Sequence, residues 1–331
     1  MTIEDCTFSG NTANDDGGGA YVLTYSGTVS LTNNTFSDNA AVNRGGGAYV
    51  YTESGTASLT NNTFNDNGAG YGGGAYVYTE SGTASLTNNT FSDNDAGYGG
   101  GARVSVETGT VSLTNNTFSD NYANNGGGAD VFAETGPASL TNNTFYSNTA
   151  TNYGGGFYGF LESNSATLQV YNNIIYQNTA SAGGNDGDDV YVLSDGNHDT
   201  TGSFVELFNN DLSGNAVFDE ASDPNPGNGI LESEDLYISD TDNYTYGVNI
   251  QSDPLFVDPA NGDFHLQSTS PCIDVGENSA PSIPTTDFEG DPRIINGTVD
   301  MGADEYRAAS VVTSVPTMNE WGLVFFAVLA G

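Results

Sequence analysis

The sequence contains no lysine and almost no positive charge. Its 331 residues include 4 arginines against 42 aspartates and glutamates, which gives a formal net charge of −38. A protein that binds nucleic acid needs a basic patch to neutralise phosphates. The charge therefore predicts that nucleic acid is not a partner.

Cysteines and long apolar segments are also scarce. Cys6 and Cys272 are too few and too distant for a disulfide framework, so we expect two small buried thiols. No run of 18 apolar residues occurs, which excludes a complete transmembrane helix. No basic and apolar leader follows Met1, and the opening residues read like the middle of a repeat. We therefore expect a fragment of a longer exported protein.

What the sequence does contain is a repeat. Five nearly identical units of 27 or 28 residues occupy residues 26–162, and residues 1–25 form an incomplete unit before them. GTASLT alternates polar and apolar residues as a half-buried strand does, and no window has helical spacing. With TFSDN and GGAYVYT it makes three extended pieces, which Asn-Asn and Gly-Gly-Gly separate as turns. The repeat predicts an all-β fold, a parallel β-helix (solenoid) with three short strands and about 27 residues per coil.

Equivalent residues of successive units should stack in columns. Leucine, phenylalanine and valine columns are expected to point inward and form the core. Their members are Leu31, Leu59, Leu86, Leu113 and Leu140, then Phe36, Phe64, Phe91, Phe118 and Phe145, then Val22, Val50, Val77, Val104 and Val131. A column at the bend should form a structural ladder of side-chain hydrogen bonds. Its members are Asn34, Asn62, Asn89, Asn116 and Asn143.

The repeat weakens after residue 162. Residues 163–253 keep coil-like stretches, but insertions rich in Asp, Asn, Gly and Pro separate them, which predicts degenerate coils with longer loops. Residues 254–306 are expected to close the open end of the solenoid, because an exposed last coil is an unpaired edge. Residues 307–331 are interpreted as a linker and a truncated sorting tail.

Two motifs alternate through the repeats. Phe-x-x-Asn, as at residues 36–39 and 64–67, is followed by Gly-Gly-Gly-Ala or Gly-Gly-Gly-Phe. Over residues 5–160 this alternation resembles the repeat of chlamydial polymorphic outer membrane proteins. The resemblance implies a β-helix that is displayed on the bacterial surface as an adhesin.

The C-terminal part carries two further resemblances. Residues 253–280, followed by DFEGDPR and DMGADEY, are similar to the closing segment of bacterial right-handed parallel β-helix proteins of the choice-of-anchor group. Pro316, Thr317, Glu320, Trp321 and Gly322 resemble the start of an IPTL-type C-terminal sorting signal. These resemblances imply a right-handed solenoid outside the cell, associated with the outer membrane through its C-terminal tail.

An enzyme is the alternative interpretation, because β-helices include pectate lyases and polygalacturonases. A lyase needs Arg or Lys to neutralise a uronate, and the repeats contain only Arg44 and Arg103, in non-equivalent columns. Asp188 and Asp189 resemble the paired aspartates of polygalacturonases, but the histidine and Arg-x-Lys motifs of that family are absent. We predict no catalytic residue, and polysaccharide binding or degradation stays open as the alternative.

Calcium is the single cofactor that the sequence suggests. GNDGDDVY resembles one nonapeptide of the calcium-binding RTX repeat, with Asp186, Asp188 and Asp189 as candidate ligands. The net charge of −38 also predicts that salt or divalent cations stabilise the fold by relieving repulsion. His198 and His265 lie in loop or closing sequence and are interpreted as surface histidines.

Two outward arrays remain as binding surfaces. Residues on either side of an inward valine should point outward and form an exposed aromatic strip, which Arg103 and Asp130 interrupt. The candidate ligand-binding residues of this strip are Tyr49, Tyr51, Tyr76, Tyr78 and Tyr158. Such a strip binds sugar rings or protein surfaces, or only stabilises the sheet, and both interpretations stay open. The second array repeats Thr-x-Ser-x-Thr, as at residues 28–32, and makes ice binding a minor alternative.

The sequence therefore predicts a cell-surface adhesin or structural protein without a catalytic centre. Repeated lateral faces would offer many weak, equivalent contacts, so that avidity replaces a single deep pocket. The expected partners are host or environmental glycans or surface proteins, and lateral self-association is compatible with the same faces. A membrane is expected as a partner only through the C-terminal tail.

Overall fold

The repeats stack into a solenoid. The structure is a computed structural model that describes residues 1–163, 165–183, 186–194, 204–218, 220–222, 230–239 and 243–308. Strands of successive coils pair in parallel and in register, with Val22 opposite Val50 and Val77 opposite Val104. About 6 coils of about 28 residues form a right-handed parallel β-helix with three sheets, which confirms the predicted fold class.

Among the residues that the structure describes, three largely parallel sheets run along the rod. Sheet 1 has 14 strands: Thr2–Glu4, Ala20–Thr32, Ala48–Thr60, Ala75–Thr87, Ala102–Thr114, Ala129–Thr135, Pro137–Thr141, Phe157–Leu161, Thr167–Tyr171, Val190–Ser194, Phe204–Phe208, Leu231–Glu232, Leu236–Ile238 and Tyr244–Gly247. Sheet 2 has 8: Thr7–Ser9, Thr35–Ser37, Thr63–Asn65, Thr90–Ser92, Thr117–Ser119, Thr144–Tyr146, Ile174–Tyr176 and Asp211–Leu212. Sheet 3 has 6: Thr12–Ala13, Ala40–Ala41, Gly68–Tyr71, Asp95–Tyr98, Tyr122–Asn125 and Thr149–Tyr153.

Short elements complete the described part of the chain. The antiparallel pairs are Phe256–Asp258 with Asp263–Leu266 and Ile294–Ile295 with Thr298–Val299. The 3₁₀ turns are Glu220–Ser222 and Pro259–Asn261. All of these elements lie outside the regular repeats, where the sequence loses its period.

The regular coils as far as Ala102–Thr114 each contribute one long and two short strands, whereas the next long strand is divided at Gly136 into Ala129–Thr135 and Pro137–Thr141. GGAYVYT and GTASLT, which the sequence analysis separated, join into strands of 13 residues such as Ala75–Thr87. The backbone bends within this strand at Gly82, whose φ of +136° is open to glycine alone. The third strand, such as Gly68–Tyr71, occupies a stretch to which the sequence analysis assigned no strand.

The Gly-Gly-Gly corner lets successive coils approach closely. A Cβ atom at Gly100 would lie 2.4 Å from the carbonyl oxygen of Gly127 in the next coil. Backbone atoms would have to move to relieve that contact, so glycine is required there. The corner also brings the end of sheet 3 next to the start of sheet 1, where the guanidinium of Arg103 lies 5.2 Å from the ring of Tyr71.

The predicted core columns are buried. The leucine and phenylalanine columns are fully buried, and the valine column is at most 2% exposed. Rings of the phenylalanine column stack with centroids 4.6–4.8 Å apart and planes 4° apart. This distance matches the spacing between strands in a sheet, so each ring lies directly on the ring of the preceding coil.

The asparagine column forms a continuous hydrogen-bonded ladder. The side-chain amide of Asn89 donates to Oδ1 of Asn116 at 3.0 Å and to the carbonyl oxygen of Leu59 at 2.9 Å. Its Oδ1 accepts from the backbone N–H of Asn62 at 2.9 Å and from the side-chain amide of Asn62 at 3.0 Å. Every polar atom of this buried amide is therefore used. Beyond the five predicted members, the ladder continues through Asn173, Asn210 and Asn249.

A second ladder uses the asparagine of the Phe-x-x-Asn motif. Its members are Asn39, Asn67, Asn94, Asn121, Asn148 and Asn178. Each donates to the side-chain oxygen of the next member, and the last donates to Oδ1 of Asp189 at 2.9 Å. The motif thus has a structural explanation, because both asparagines of a coil satisfy backbone groups at the two ends of a sheet 2 strand.

Residues 254–306 lie along the side of the rod. Asn115 donates a side-chain hydrogen bond to the carbonyl oxygen of Thr286 at 2.8 Å, and Asn209, several coils away, donates one to Val275 at 2.8 Å. An apolar cluster joins the segment to the outer surface of sheet 2. Its members are Ile174, Phe256, Leu266, Cys272 and Met301. These contacts show that the segment packs against sheet 2, and its closure of the open end stays a prediction.

The two cysteines differ in environment. Cys272 is buried, its thiol donates to Oδ2 of Asp211 at 3.1 Å, and burial raises its pKa. Cys6 is exposed, which corrects the expectation of two buried thiols. Its backbone N–H binds Oδ1 of Asn34, so it occupies the ladder position of the first coil, and no described coil stacks on its other side.

Among the described residues, no helix is long and apolar enough to span a membrane. Several sequence predictions fall on other residues. The sorting-signal residues 316–322 and His198 lie outside the described part of the chain. The same holds for most of residues 219–230, one of the predicted insertions, and for Gly184 and Asn185 of the RTX-like stretch at residues 184–191.

Candidate functional site

Outward side chains of sheets 3 and 1 meet beside the Gly-Gly-Gly corner and form what we call the aromatic face. Its members are Tyr49, Tyr51, Tyr76, Tyr78, Tyr98, Arg103, Asp130, Phe132, Tyr158 and Phe160. In-register pairing arranges them in rows, so that Tyr76 lies between Tyr49 and Arg103. The aromatic face is therefore built from equivalent positions of several successive coils and is not present in any single coil.

Rings of the aromatic face stack along the rod. The ring centroids of Tyr49 and Tyr76 are 5.3 Å apart, and those of Tyr51 and Tyr78 are 5.4 Å apart. These distances lie within the range of favourable aromatic pairs. The stacking therefore contributes to the stability of the sheet, as one of the two open interpretations expected, and it also fixes the rings in place.

Two tyrosine hydroxyls of the aromatic face are held by glutamates of the next coil. Tyr51 donates to Glu80, and Tyr78 donates to Glu107. The hydrogen bond to Glu80 raises the pKa of Tyr51 to about 12, and burial together with Glu107 raises the pKa of Tyr78. Both phenols remain neutral donors at physiological pH, and their rings are oriented before any ligand arrives.

The aromatic face is less exposed than the sequence analysis expected. Tyr49 is only 3% exposed, so the expectation that it lies on an open strip is wrong. The guanidinium of Arg44 lies 5.8 Å from its ring, and the rings of Tyr21 and Tyr76 flank it on both sides. The other predicted residues, Tyr51, Tyr76, Tyr78 and Tyr158, are half-buried and keep part of their surface accessible.

An ion pair interrupts the aromatic rows. Arg103 donates from Nη1 to Oδ2 of Asp130 at 2.6 Å, and the side chains are 18% and 2% exposed. Arg103 also lies 5.2 Å and 5.3 Å from the rings of Tyr71 and Tyr98, close enough for cation–π attraction. Burial raises the pKa of the Asp130 carboxyl to about 6, although Arg103 opposes the shift. The pair is therefore well shielded from bulk water.

A shallow pocket opens over this ion pair. Its volume is about 250 Å³, and its lining consists of Tyr98, Arg103, Asp130, Phe132, Tyr158 and Phe160. Aromatic side chains thus surround one guanidinium and one carboxylate. Arg103 and Asp130, which the sequence predicts to interrupt the strip, lie in the lining of this pocket.

The candidate calcium ligands are engaged in structural hydrogen bonds. Asp186 accepts from the backbone N–H of Gly183 at 2.9 Å, and Asp188 accepts from that of Ala180. Asp189 is fully buried, because it continues the second asparagine ladder. Calcium binding at these residues stays a prediction.

Asp188 and Asp189 are also the paired aspartates on which the enzymatic alternative depends. Burial raises the pKa of Asp188 to about 6 and that of Asp189 well above its usual value. A raised pKa is compatible with a general acid, but it also accompanies structural burial. Because Asp189 also accepts from the backbone N–H of Ser213 at 2.6 Å, its geometry favours a structural role.

The closing segment contributes a second polar cluster. His265, Glu289 and Asp304 converge beside a cavity of about 380 Å³ between this segment and sheet 2. His265 lies between Glu289 at 2.9 Å from Nε2 and Asp263 at 2.5 Å from Nδ1. Burial lowers the pKa of His265, but these hydrogen bonds outweigh it and raise the pKa to about 9.

The repeat pattern does not predict this cluster. The sequence predicts His265 to be an ordinary surface histidine, and its side chain is 48% exposed. Its partners come from separate loops 24 and 39 residues further along the chain, where no repeat indicates which residues meet. The alternation in Asp263–Leu266, which places Asp263 and His265 on one side of a strand, is the signal that was present.

The hydroxyl array is partly covered. Thr141 is fully buried and donates to the carbonyl oxygen of Pro281 at 2.6 Å. The closing segment therefore covers part of the hydroxyl array on the later coils, whereas Thr28 in an early coil remains exposed. Ice binding stays a prediction.

Comparisons with known proteins agree with the geometry of the coils. No curated protein and no solved structure matches the chain. The family model described as "Right handed beta helix region" matches residues 1–118, so this part of the chain is similar to right-handed β-helices in sequence as well as in fold.

Proposed function

We propose that the protein is a bacterial surface β-helix that binds glycans through its aromatic face and does not modify them. It would act as an adhesin or as a structural surface protein. The observation that supports this function is the pocket of about 250 Å³ in which Tyr98, Tyr158, Phe132 and Phe160 surround the ion pair of Arg103 and Asp130.

The chemistry of this pocket suits a sugar ring. Half-buried aromatic rings offer flat apolar surface for the C–H face of a pyranose, and their fixed orientation lowers the entropic cost of binding. Arg103, whose side chain is 18% exposed, offers N–H donors for ring hydroxyls, and the buried Asp130 holds its guanidinium in place.

The repeated rows would extend the contact along a polymer. Tyr76 and Tyr78 continue the surface one coil away from Arg103 and Ser105, with the spacing of neighbouring strands. A polysaccharide lying along the rod would make several weak contacts, whose combination gives avidity. A surface protein or a second copy of the chain would use the same rows.

The proposed location follows from the resemblances in the sequence. The alternating motifs resemble surface-displayed repeats, and the tail resembles a sorting signal. Attachment to the outer membrane would use that tail alone. Export of the intact protein by its natural host, followed by surface proteolysis, would test the location.

Glycan-array binding of the purified full chain, with and without calcium, tests the function. Tyr158→Ala should weaken binding about tenfold, because it removes one wall of the pocket and one stacking surface. Tyr122→Ala is the matched control, since this tyrosine is 44% exposed and does not line the pocket. Reducing-end release is measured in the same samples.

Each outcome has a clear meaning. Binding that Tyr158→Ala weakens and Tyr122→Ala preserves supports the aromatic face as the glycan site. Equal binding by the two variants would reject that face. Release of reducing ends would favour a polysaccharide-degrading enzyme and direct attention to Asp188 and Asp189.

A further inference from the structure

We propose that His265, Glu289 and Asp304 form a binding site for a zinc-type divalent cation in the cavity between the closing segment and sheet 2. The site is independent of the aromatic face, which lies beside the Gly-Gly-Gly corner. It uses one imidazole nitrogen and two carboxylate oxygens, a donor set that suits zinc and similar metals better than calcium.

The donor atoms already converge. One ligand atom from each of the three residues lies within 4.8 Å of the other two. Donor atoms around a tetrahedral zinc lie about 3.4 Å from one another, given metal–ligand distances of about 2.0–2.2 Å. His265 and Glu289 are each 48% exposed at their side chains, so small rotations close the remaining distance without moving the backbone.

The second nitrogen of His265 is held as metal-binding histidines usually are. Nδ1 lies 2.5 Å from Oδ1 of Asp263, and the backbone N–H of His265 also donates to that carboxylate at 3.1 Å. A carboxylate on the far nitrogen orients the ring and increases its basicity toward a metal. Nε2 is thereby directed toward Glu289 and Asp304.

The carboxylates also have an electrostatic reason to take up a cation. Asp304 is half-buried near Asp287 and Glu289, so negative charge is concentrated on this side of the cavity. A divalent ion would offset that charge.

The cavity gives the metal an open side. It measures about 380 Å³, and its lining includes Thr90, Ser92, Thr117 and Ser119 from sheet 2. Three protein ligands with a free fourth position facing a pocket are typical of zinc sites that hold water or an oxygen ligand. The geometry thus provides for a bound water or a small oxyanion on the metal.

Calorimetric titration of the full chain with zinc chloride tests the site. Physiological salt and excess magnesium suppress loose binding to the many surface carboxylates. We expect one tight site per chain, and His265→Gln should weaken it at least about tenfold. His198→Gln is the matched control, because it removes the other histidine of the sequence and should leave the affinity unchanged.

A second pair of measurements separates loss of a ligand from loss of fold. Glu289→Gln changes a 48% exposed side chain and should also weaken zinc at least about tenfold. Circular dichroism of each variant should match that of the parent chain. Bound Co²⁺ should give visible absorption bands that disappear in His265→Gln.

The proposal is overturned if zinc binds weakly at several equivalent sites, or if His265→Gln and His198→Gln bind it equally. Either result would identify the cluster as an ion network that stabilises the closing segment. A metal site would also raise the thermal midpoint of the parent chain in zinc, and the absence of that shift in His265→Gln is the expected companion result.

Discussion

Asn89→Ala is expected to lower the free energy of unfolding by about 3–5 kcal/mol, measured by chemical denaturation and circular dichroism. The substitution removes four hydrogen bonds from a fully buried amide. It leaves the backbone N–H of Asn62 without a partner inside the protein, which costs more than the bond itself contributes, whereas Oδ1 of Asn116 keeps the hydrogen bond from the backbone N–H of residue 89. Because Asn89 joins the coils on both sides, two interfaces weaken at once.

Asn88→Gly is the matched control for this prediction. Asn88 is the neighbouring residue, has a φ of +55° and holds a side-chain Oδ1 without a hydrogen-bond partner within the protein. Glycine keeps the left-handed backbone, so its effect should stay below about 1 kcal/mol. Similar losses in both variants would mean that the bend, and not the ladder, stabilises this corner.

The coils were predictable because every repeat gives the same information again. Leu31 alone does not indicate whether its side chain points inward. Because leucine recurs at the equivalent positions Leu59 and Leu86, it identifies an inward column whatever the exact strand limits. The limits themselves were not predictable. Gly82 ends one alternating stretch and begins another, and composition does not distinguish a bend inside a strand from a turn between strands.

The candidate site was only partly predictable. The rows of Tyr76 and Tyr78 followed from alternation, but the burial of Tyr49 depends on Arg44, which arrives from the previous sheet around the glycine corner. The pocket likewise needs Tyr98 from sheet 3 beside Arg103 from sheet 1. Alternation within one strand contains no information about such a neighbour across a corner.

Acidification from pH 7 to pH 5 is expected to stabilise the fold by at least about 2 kcal/mol, with a corresponding rise in the thermal midpoint. Burial is the main cause that raises the pKa values of several carboxyls. These are Asp130, Asp211 and Asp304, each to about 6, and Glu305, to about 7. In the unfolded chain they return to 3.8 for Asp and 4.5 for Glu.

The sign follows from proton binding. Over this pH range the folded chain holds more protons than the unfolded chain, so the free energy of unfolding falls as pH rises. For each of these carboxyls, the stabilisation is complete below its pKa in the unfolded chain. It is lost as pH rises through its pKa in the folded chain. The lowered pKa values of Asp263 and Glu277 act in the opposite direction, but both groups are at the surface, where the effect is smaller.

Asp130→Asn separates this effect from general relief of the net charge of −38. The variant lacks the carboxyl that titrates, so its gain between pH 7 and pH 5 should be smaller by about 1 kcal/mol. Asp120→Asn, an exposed residue with a φ of +55° that asparagine also tolerates, should keep the full gain. At about 1 M salt the screening length falls to about 3 Å, so long-range repulsion disappears while the difference between the variants persists. A parent chain that is most stable at pH 7, or two variants with the same pH dependence, would show that burial of Asp130 does not control stability.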